Sequence, residues 1–276
     1  MPERPRLAVR KTYKLFINGA FPRSESGRTY LVDGTNVALA SRKDLRDAVV
    51  AARAAAPKWA GATAYLRGQI LYRVAEMLEG RTTEFTALGV PEAEVAEAVD
   101  RWVWYAGWAD KIAQVVGGAN PVAGPFFNLS TPEPTGVVGV VAPADSALLG
   151  LVSVVAPVIV SGNTAVVLAA YEHPRVAITL AEVLATSDLP PGVINVLTGR
   201  VAELGPWLAG HADVDGLDLT GVIDPELAHS LETTAADTVK RVVRPADTPV
   251  DWTADPGLVR LRAFLETKTV WHPKGY

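Results

Sequence analysis

At 276 residues the chain is long enough for one large domain or two modest ones with a sizeable core. Hydrophobic residues make up 49% and charged residues 20%, which excludes wholesale disorder, and a net charge of −4 with interleaved signs excludes the basic stripe of a nucleic-acid binder. Cysteine is absent, which excludes disulfides, thiolate metal sites and a thiol nucleophile.

In chain order, residues 1–5 lead into no apolar run, so no signal peptide is expected and the cytoplasm is the expected compartment. Residues 15–20 alternate apolar and polar and reach Asn18-Gly19, a hairpin signal. Ser41 and Asp44 have capping-box spacing and start a helix over 44–59, with an apolar stripe through Leu45, Val49 and Ala52. A second helix is predicted over 63–78. A third is predicted over 91–115, opened by Pro91 with Glu92 and Glu94 at the positive end of its dipole. Trp102, Trp104, Tyr105 and Trp108 lie in that helix at helical spacing, which reads as packing rather than a ligand cage. Residues 117–134 suit an extended ribbon.

Residues 137–141 form a short apolar run of the buried parallel-strand type, and a helix follows over 147–160. That helix is apolar, but too short to span a membrane. A turn at Ser161-Gly162-Asn163 precedes a strand over 164–168. Pro174 opens a helix to Leu184, Pro190-Pro191-Gly192 turns the chain, and a strand covers 193–197. This β-α-β-α-β rhythm predicts an α/β fold with a doubly wound parallel sheet and helices on both faces. Residues 244–256 read as a Pro- and Asp-rich connector, and residues 267–271 lean towards strand.

No internal repeat, nucleophile elbow, Walker loop or Gly-x-Gly-x-x-Gly fingerprint is present. His173, His211, His229 and His272 are too far apart for a local metal motif, so no metal is expected. Asp213, Asp215 and Asp218 lie along one extended stretch and read as solvated surface rather than a cation cage.

The local sequences are more specific than the rhythm. Pro134-Thr135-Gly136-Val137-Val138-Gly139-Val140-Val141-Ala142-Pro143 resembles the strand that enters the cofactor site of aldehyde dehydrogenases. Ala156-Pro157 with Gly162-Asn163-Thr164-Ala165-Val166-Val167-Leu168 is similar to that family's next helix end and strand. So are Leu189-Pro190-Pro191-Gly192-Val193-Ile194-Asn195-Val196-Leu197-Thr198-Gly199 and His211-Ala212-Asp213-Val214-Asp215 with Thr220-Gly221 to later blocks. Leu15-Phe16-Ile17-Asn18-Gly19 resembles the opening hairpin, and Phe264-Leu265-Glu266-Thr267-Lys268-Thr269-Val270-Trp271 resembles the C-terminal oligomerisation strand.

The departures fall where that family's chemistry resides. Its Pro-Trp-Asn, whose Asn amide stabilises an oxyanion, reads Pro143-Ala144-Asp145 here, and a carboxylate repels developing negative charge. Its ribose-binding Lys is Ala169, while the Glu three residues on is kept as Glu172. Its Thr-Gly-Ser pyrophosphate motif reads Thr220-Gly221-Val222, followed by Asp224 and Glu226. After Lys240-Arg241-Val242 the general-base Glu is replaced by Pro245.

The resemblance implies a Rossmann-like dinucleotide unit over residues 1–116 and 135–246, and a small antiparallel oligomerisation flap over 117–134 and 257–276. Residues 247–256 form a connector in place of the catalytic domain. Similarity to the degenerate second copy of the sixteenth class of aldehyde dehydrogenases implies no catalytic residues in this chain. The vestigial cofactor positions are Ala144, Asp145, Ala169, Glu172, Gly221, Val222 and Glu226, where NAD is expected to bind weakly at most. The expected role is a non-catalytic subunit that pairs with a full-length active dehydrogenase through Lys268, Val270 and Trp271, with self-association as a further option. The alternatives are an oxidoreductase-family protein with residual nucleotide binding, or a self-associating metabolite-binding scaffold. Neither nucleic acid nor membrane is an expected partner.

Overall fold

The computed structural model describes residue 7 and residues 9–275; the N-terminal residues behind the signal-peptide expectation lie outside them. Asn18 and Gly19 both adopt left-handed backbone angles, with φ of 53° and 74°, and close a tight turn bridged by Ile17 and Ala20. A second hairpin, β1 (Thr29–Val32) and β2 (Thr35–Ala38), turns on Asp33-Gly34 in the same way. Helix α1 (Arg42–Ala60) carries the expected capping box: the Asp44 amide donates to Ser41 Oγ at 3.3 Å and the Ser41 amide to Asp44 Oδ2 at 2.7 Å. Asp44 is buried because it also accepts from Ser24 Oγ (2.8 Å) and the Glu25 amide (2.9 Å).

Helices α2 (Ala64–Glu79), α3 (Thr82–Thr86), α4 (Glu92–Trp108) and α5 (Ile112–Val116) follow. The single helix expected over 91–115 is therefore two. The break at Ala109–Lys111 is a tight turn, with the Lys111 amide donating to Trp108 O at 3.0 Å and its ammonium folding back to the Gly107 carbonyl. The aromatic cluster packs as expected. Trp102 and Tyr105 are fully buried, and Trp104 lies 4.9 Å from Tyr105 and 5.5 Å from Trp108 between ring centroids.

Beyond β3 (Gly118–Ala119) and β4 (Phe126–Pro134), the chain enters the alternation β5 (Val137–Val141), α6 (Leu149–Val160), β6 (Thr164–Leu168), α7 (Pro174–Ala185), β7 (Ile194–Leu197), α8 (Val201–Ala209), β8 (Gly216–Asp218), α9 (Pro225–Ala236) and β9 (Arg241–Val243). It ends in α10 (Val259–Ala263) and β10 (Leu265–Pro273). Five strands form a parallel sheet in the order β7-β6-β5-β8-β9. Val138, Val140 and Val167 point into one core with α2, α4, α6 and α7. Val137, Val141 and Val166 point into another with α1, α8 and α9. Burial on both faces explains why these strands read as continuous apolar runs. Every residue of α6 is buried inside the protein, and among the described residues no helix is long and apolar enough to cross a membrane.

Phe16 exchanges backbone hydrogen bonds with Val196 (2.9 and 2.7 Å) and so covers the β7 edge of the sheet. The separate antiparallel sheet has the order β10-β4-β3, with Leu265 opposite Pro134 and Pro273 opposite Phe126. Helix α10 packs on α6 through buried Leu261, so it belongs to the main body rather than to this flap.

Candidate functional site

The chain leaves β5 towards β6 and β7 on one side, then returns to lay β8 on the other. In parallel sheets the crevice beyond the carboxyl ends of two such strands is where ligands bind. One wall here is Pro143-Ala144-Asp145 after β5, and the other is Thr220-Gly221-Val222 after β8. The walls are in direct contact at their base. The Gly221 amide donates to Val141 O at 3.1 Å, and a Cβ on Gly221 would sit 2.1 Å from Ala142 O, so only glycine fits. The connector, from Arg244 through Pro245 to Trp252, lines the outer side of this crevice, which has a volume of about 640 Å³.

Of the seven cofactor positions expected from the family resemblance, Ala144, Asp145, Gly221 and Val222 line this crevice, together with Pro245. The other three do not. Ala169 is buried in the core at the end of β6, while Glu172 and Glu226 are exposed. Beside Glu172, Tyr171 stacks on Tyr30 at 4.7 Å and the Arg200 guanidinium lies 4.4 Å from the Tyr171 ring centroid. Burial, reinforced by Tyr171 and Glu172, pushes the Tyr30 phenol well above its ordinary range.

Asp145 is tethered to the connector by the Trp252 indole, which donates to its Oδ1 at 3.1 Å. Trp252 is itself buried, and Arg101 from α4 holds it from behind. The Arg101 Nη2 donates to Trp252 O (2.7 Å) and Ala254 O (3.0 Å), and its Nη1 to Ser153 Oγ (3.1 Å). Arg260 of α10 lies 5.4 Å from the Trp252 ring centroid and donates to Asp218 Oδ2 at 3.1 Å and Thr220 Oγ1 at 3.2 Å. Burial pushes the Asp218 carboxyl up from its ordinary pKa, while Arg260 and the Thr220 hydroxyl and amide pull the other way. Tyr105, in the same region, is pushed up to about 12 by burial.

The reading of Asp213, Asp215 and Asp218 as solvated surface is corrected here. Only Asp213 is exposed. Asp215 Oδ2 accepts from Arg53 Nη2 and the Val137 amide, both at 2.7 Å, and Asp218 is buried in its ion pair. Among the described residues no cluster of three His, Cys, Asp or Glu forms a metal site. His173 Nε2 faces Ala144 O at 3.1 Å and His211 Nδ1 accepts from the Asp213 amide at 3.2 Å, both structural roles.

The helix starts beside the crevice are occupied by the chain's own carboxylates. Asp224 caps α9, accepting from the Glu226 amide at 3.0 Å, and Glu226 adds a second acid in the first turn. At α6, Glu94 Oε1 reaches over from α4 to accept from the Leu148 (2.9 Å) and Leu149 (3.1 Å) amides and the Ser146 hydroxyl (2.9 Å). Sequence reasoning placed Glu94 only as an acid at the start of its own helix. It missed Arg101, Trp252 and Arg260, for which the one visible signal was an Asp at position 218 among apolar strand residues.

On the flap, Lys268 and Val270 share a face of β10 with Glu133 and Leu129 of β4, and Lys268 pairs with Glu133 at 3.1 Å. Trp271 lies on the opposite face, edge-on to Phe126 with centroids 5.8 Å apart. A partner laid on one face therefore reaches Val270 or Trp271 but not both, whereas a strand added along the β10 edge meets both.

A family model described as "Aldehyde dehydrogenase family" matches residues 33–244. The putative aldehyde dehydrogenase DhaS of Bacillus subtilis (strain 168) is 32% identical over 252 residues, covering 84% of this chain and 50% of the relative. The cytosolic 10-formyltetrahydrofolate dehydrogenase of Xenopus tropicalis is 33% identical over 259 residues, covering 86% of this chain and 28% of the relative. Among solved structures, HpcC from Thermus thermophilus superposes with a TM-score of 0.79 at 31% identity, over 84% of this chain and 47% of that one. An NAD+ complex of aldehyde dehydrogenase from Bacillus cereus superposes at 0.78 with 26% identity, over 84% and 50%. The chain thus spans about half the length, or less, of the relatives it matches.

Proposed function

This chain belongs to the aldehyde dehydrogenase family, and from that membership we propose that it is a non-catalytic subunit which assembles with a full-length, active member. The observation that carries the reading is the segment joining β9 to α10. Trp252 is buried against Arg101, Asp145 and Arg260, so this short connector packs as part of the main body and leads through α10 to the flap strand β10. The chain holds no cysteine, and Pro245, which has no titratable group, stands where the family resemblance puts the general base.

A dinucleotide does not fit the residues present. A pyrophosphate at the start of α9 needs free amides, and Asp224 already takes one while Glu226 adds like charge. With the ribose-binding ammonium also replaced by Ala169, two charge-assisted bonds at about 1.5–3 kcal/mol each are missing, which weakens NAD binding roughly a hundredfold or more.

The flap supports the assembly role. Strand β10 is an edge strand with every residue after Leu265 exposed, and such edges pair with a neighbour's sheet. The simplest stoichiometry is two such subunits with two catalytic ones under two-fold symmetry, burying on the order of 2,000 Å² per obligate interface. A second reading, a metabolite-binding scaffold, is favoured by the crevice that persists beside Asp145, His229 and Glu232.

The test is to co-express the chain with a full-length aldehyde dehydrogenase from the same genome, with and without residues 268–276, and to measure mass by light scattering. Alone, the chain is expected to show no NAD(P)-dependent aldehyde oxidation and no esterase activity, and calorimetry is expected to show no micromolar NAD affinity. Turnover by the isolated chain, or a truncated form that assembles equally well, would overturn the reading.

A further inference from the structure

A second concavity, of about 760 Å³, lies between the start of α1 and the end of α8 and shares no lining residue with the crevice. Arg42 and Arg46 stand four residues apart on α1 and so project from one side of the helix. The Arg42 guanidinium lies 3.7 Å from the ring centroid of Trp207, which is 46% exposed. The groove walls carry three cations, Arg42, Lys43 and Arg46, against one carboxylate, Glu25, in a chain whose net charge is −4. Glu25 is taken by Lys43 at 2.6 Å and Arg46 by Asp47 at 2.9 Å. Arg42 has no ion pair among the described residues, so its charge is balanced only by the indole face.

We propose that this groove docks an acidic segment of a partner protein that also carries an apolar side chain. The stack holds Arg42 in one orientation before binding, which removes much of the side-chain entropy a long cation otherwise loses. A partner carboxylate is then met by the planar donor fork of Arg42, flanked by Arg46 and Lys43, which Asp47 and Glu25 already pair. The apolar side chain covers the open part of Trp207, beside Pro206 and buried Leu45. Arg and Trp side by side are the residue types in which binding energy concentrates at protein interfaces. Nucleic acid suits the groove less well, because one short positive wall on an acidic chain offers a backbone no continuous track. The inference is independent of the non-catalytic reading and uses none of its residues.

The experiment uses the full chain and three probes: a twelve-residue peptide alternating Glu with Phe and Leu, the same peptide with Lys for Glu, and sodium phosphate. Titration calorimetry at low salt is expected to show saturable binding of the Glu peptide only. Arg42→Glu and Trp207→Ala are each expected to weaken it about tenfold or more, as is raising the salt to about 0.5 M. Arg73→Ala, on α2 and outside the groove, is expected to leave it unchanged. Because all three positions are exposed, circular dichroism confirms that each variant folds. No binding of the Glu peptide, equal binding of the Lys peptide, or unchanged affinity in well-folded Arg42 and Trp207 variants overturns the proposal. Phosphate competing as strongly as the peptide also overturns it, by showing a simple anion site.

Discussion

Arg260→Ala removes one half of the ion pair that ties α10 to the sheet. The side chains of Arg260 and Asp218 are 21% and 4% exposed, so the carboxylate left behind is buried without its counter-ion. Breaking a buried pair in this way costs about 3–5 kcal/mol. The lower end applies, because Arg260 retains some solvent and Asp218 keeps the Thr220 amide at 2.9 Å. A loss of about 3 kcal/mol corresponds to a fall in Tm of roughly 6–12 °C for a chain of this size. The deficit also has a defined pH dependence. Asp218 is already pushed up by burial, and losing the guanidinium that pulls it down raises it further. A carboxyl whose folded pKa lies above its unfolded value adds stability that is fully present at low pH and is lost as pH rises through the folded pKa. Urea unfolding by circular dichroism should therefore show the full deficit at pH 7.5 and a smaller one at pH 5. Asp218→Leu combined with Arg260→Met should recover most of it. An Arg260→Ala protein as stable as the parent at both pH values, or a deficit that grows on acidification, refutes the reasoning.

Val239→Gly is expected to stabilise the chain. Val239 is 89% exposed with φ of +56°, where a Cβ costs about 1–2 kcal/mol, and glycine returns about 0.5–1 kcal/mol of that to the unfolded state. A net gain of roughly 0.5–1 kcal/mol should appear in the urea midpoint, and a loss would show that the valine side chain makes a contact worth more than its strain. Glu94→Ala strips the acceptor from two amides at the start of α6 and from the Ser146 hydroxyl, and should cost about 1–2 kcal/mol. An unchanged Tm would mean that water replaces the carboxylate at no cost.

The parallel strands Val137–Val141 and Thr164–Leu168 were legible because burial on both faces leaves a valine-rich run with no charged residue in it. The cap at Ser41 was legible because both of its partners lie within one helical turn, where the chain itself fixes their distance. The Asp33-Gly34 hairpin carries the same local signal as Asn18-Gly19. The break between α4 and α5 was less readable, since apolar periodicity continues across it to buried Ile112.

What lay outside the sequence's reach were pairings between groups far apart along the chain. Asp218 read as surface because its counter-ion is 42 residues on, and Glu94 read as a local helix-start acid although it serves amides 54 and 55 residues later. Trp252 sits in a stretch whose prolines and aspartates signal a loop, and Arg101, drawn in by packing of α4 on α6, joins Asp145 and Arg260 in making that loop part of the core. Local geometry is dictated by bond lengths and dihedral preferences, so residue types at fixed spacing are enough to reveal it. Which distant polar groups meet is decided by how the helices pack on the sheet, because a buried charge is tolerated only where the finished fold delivers its partner.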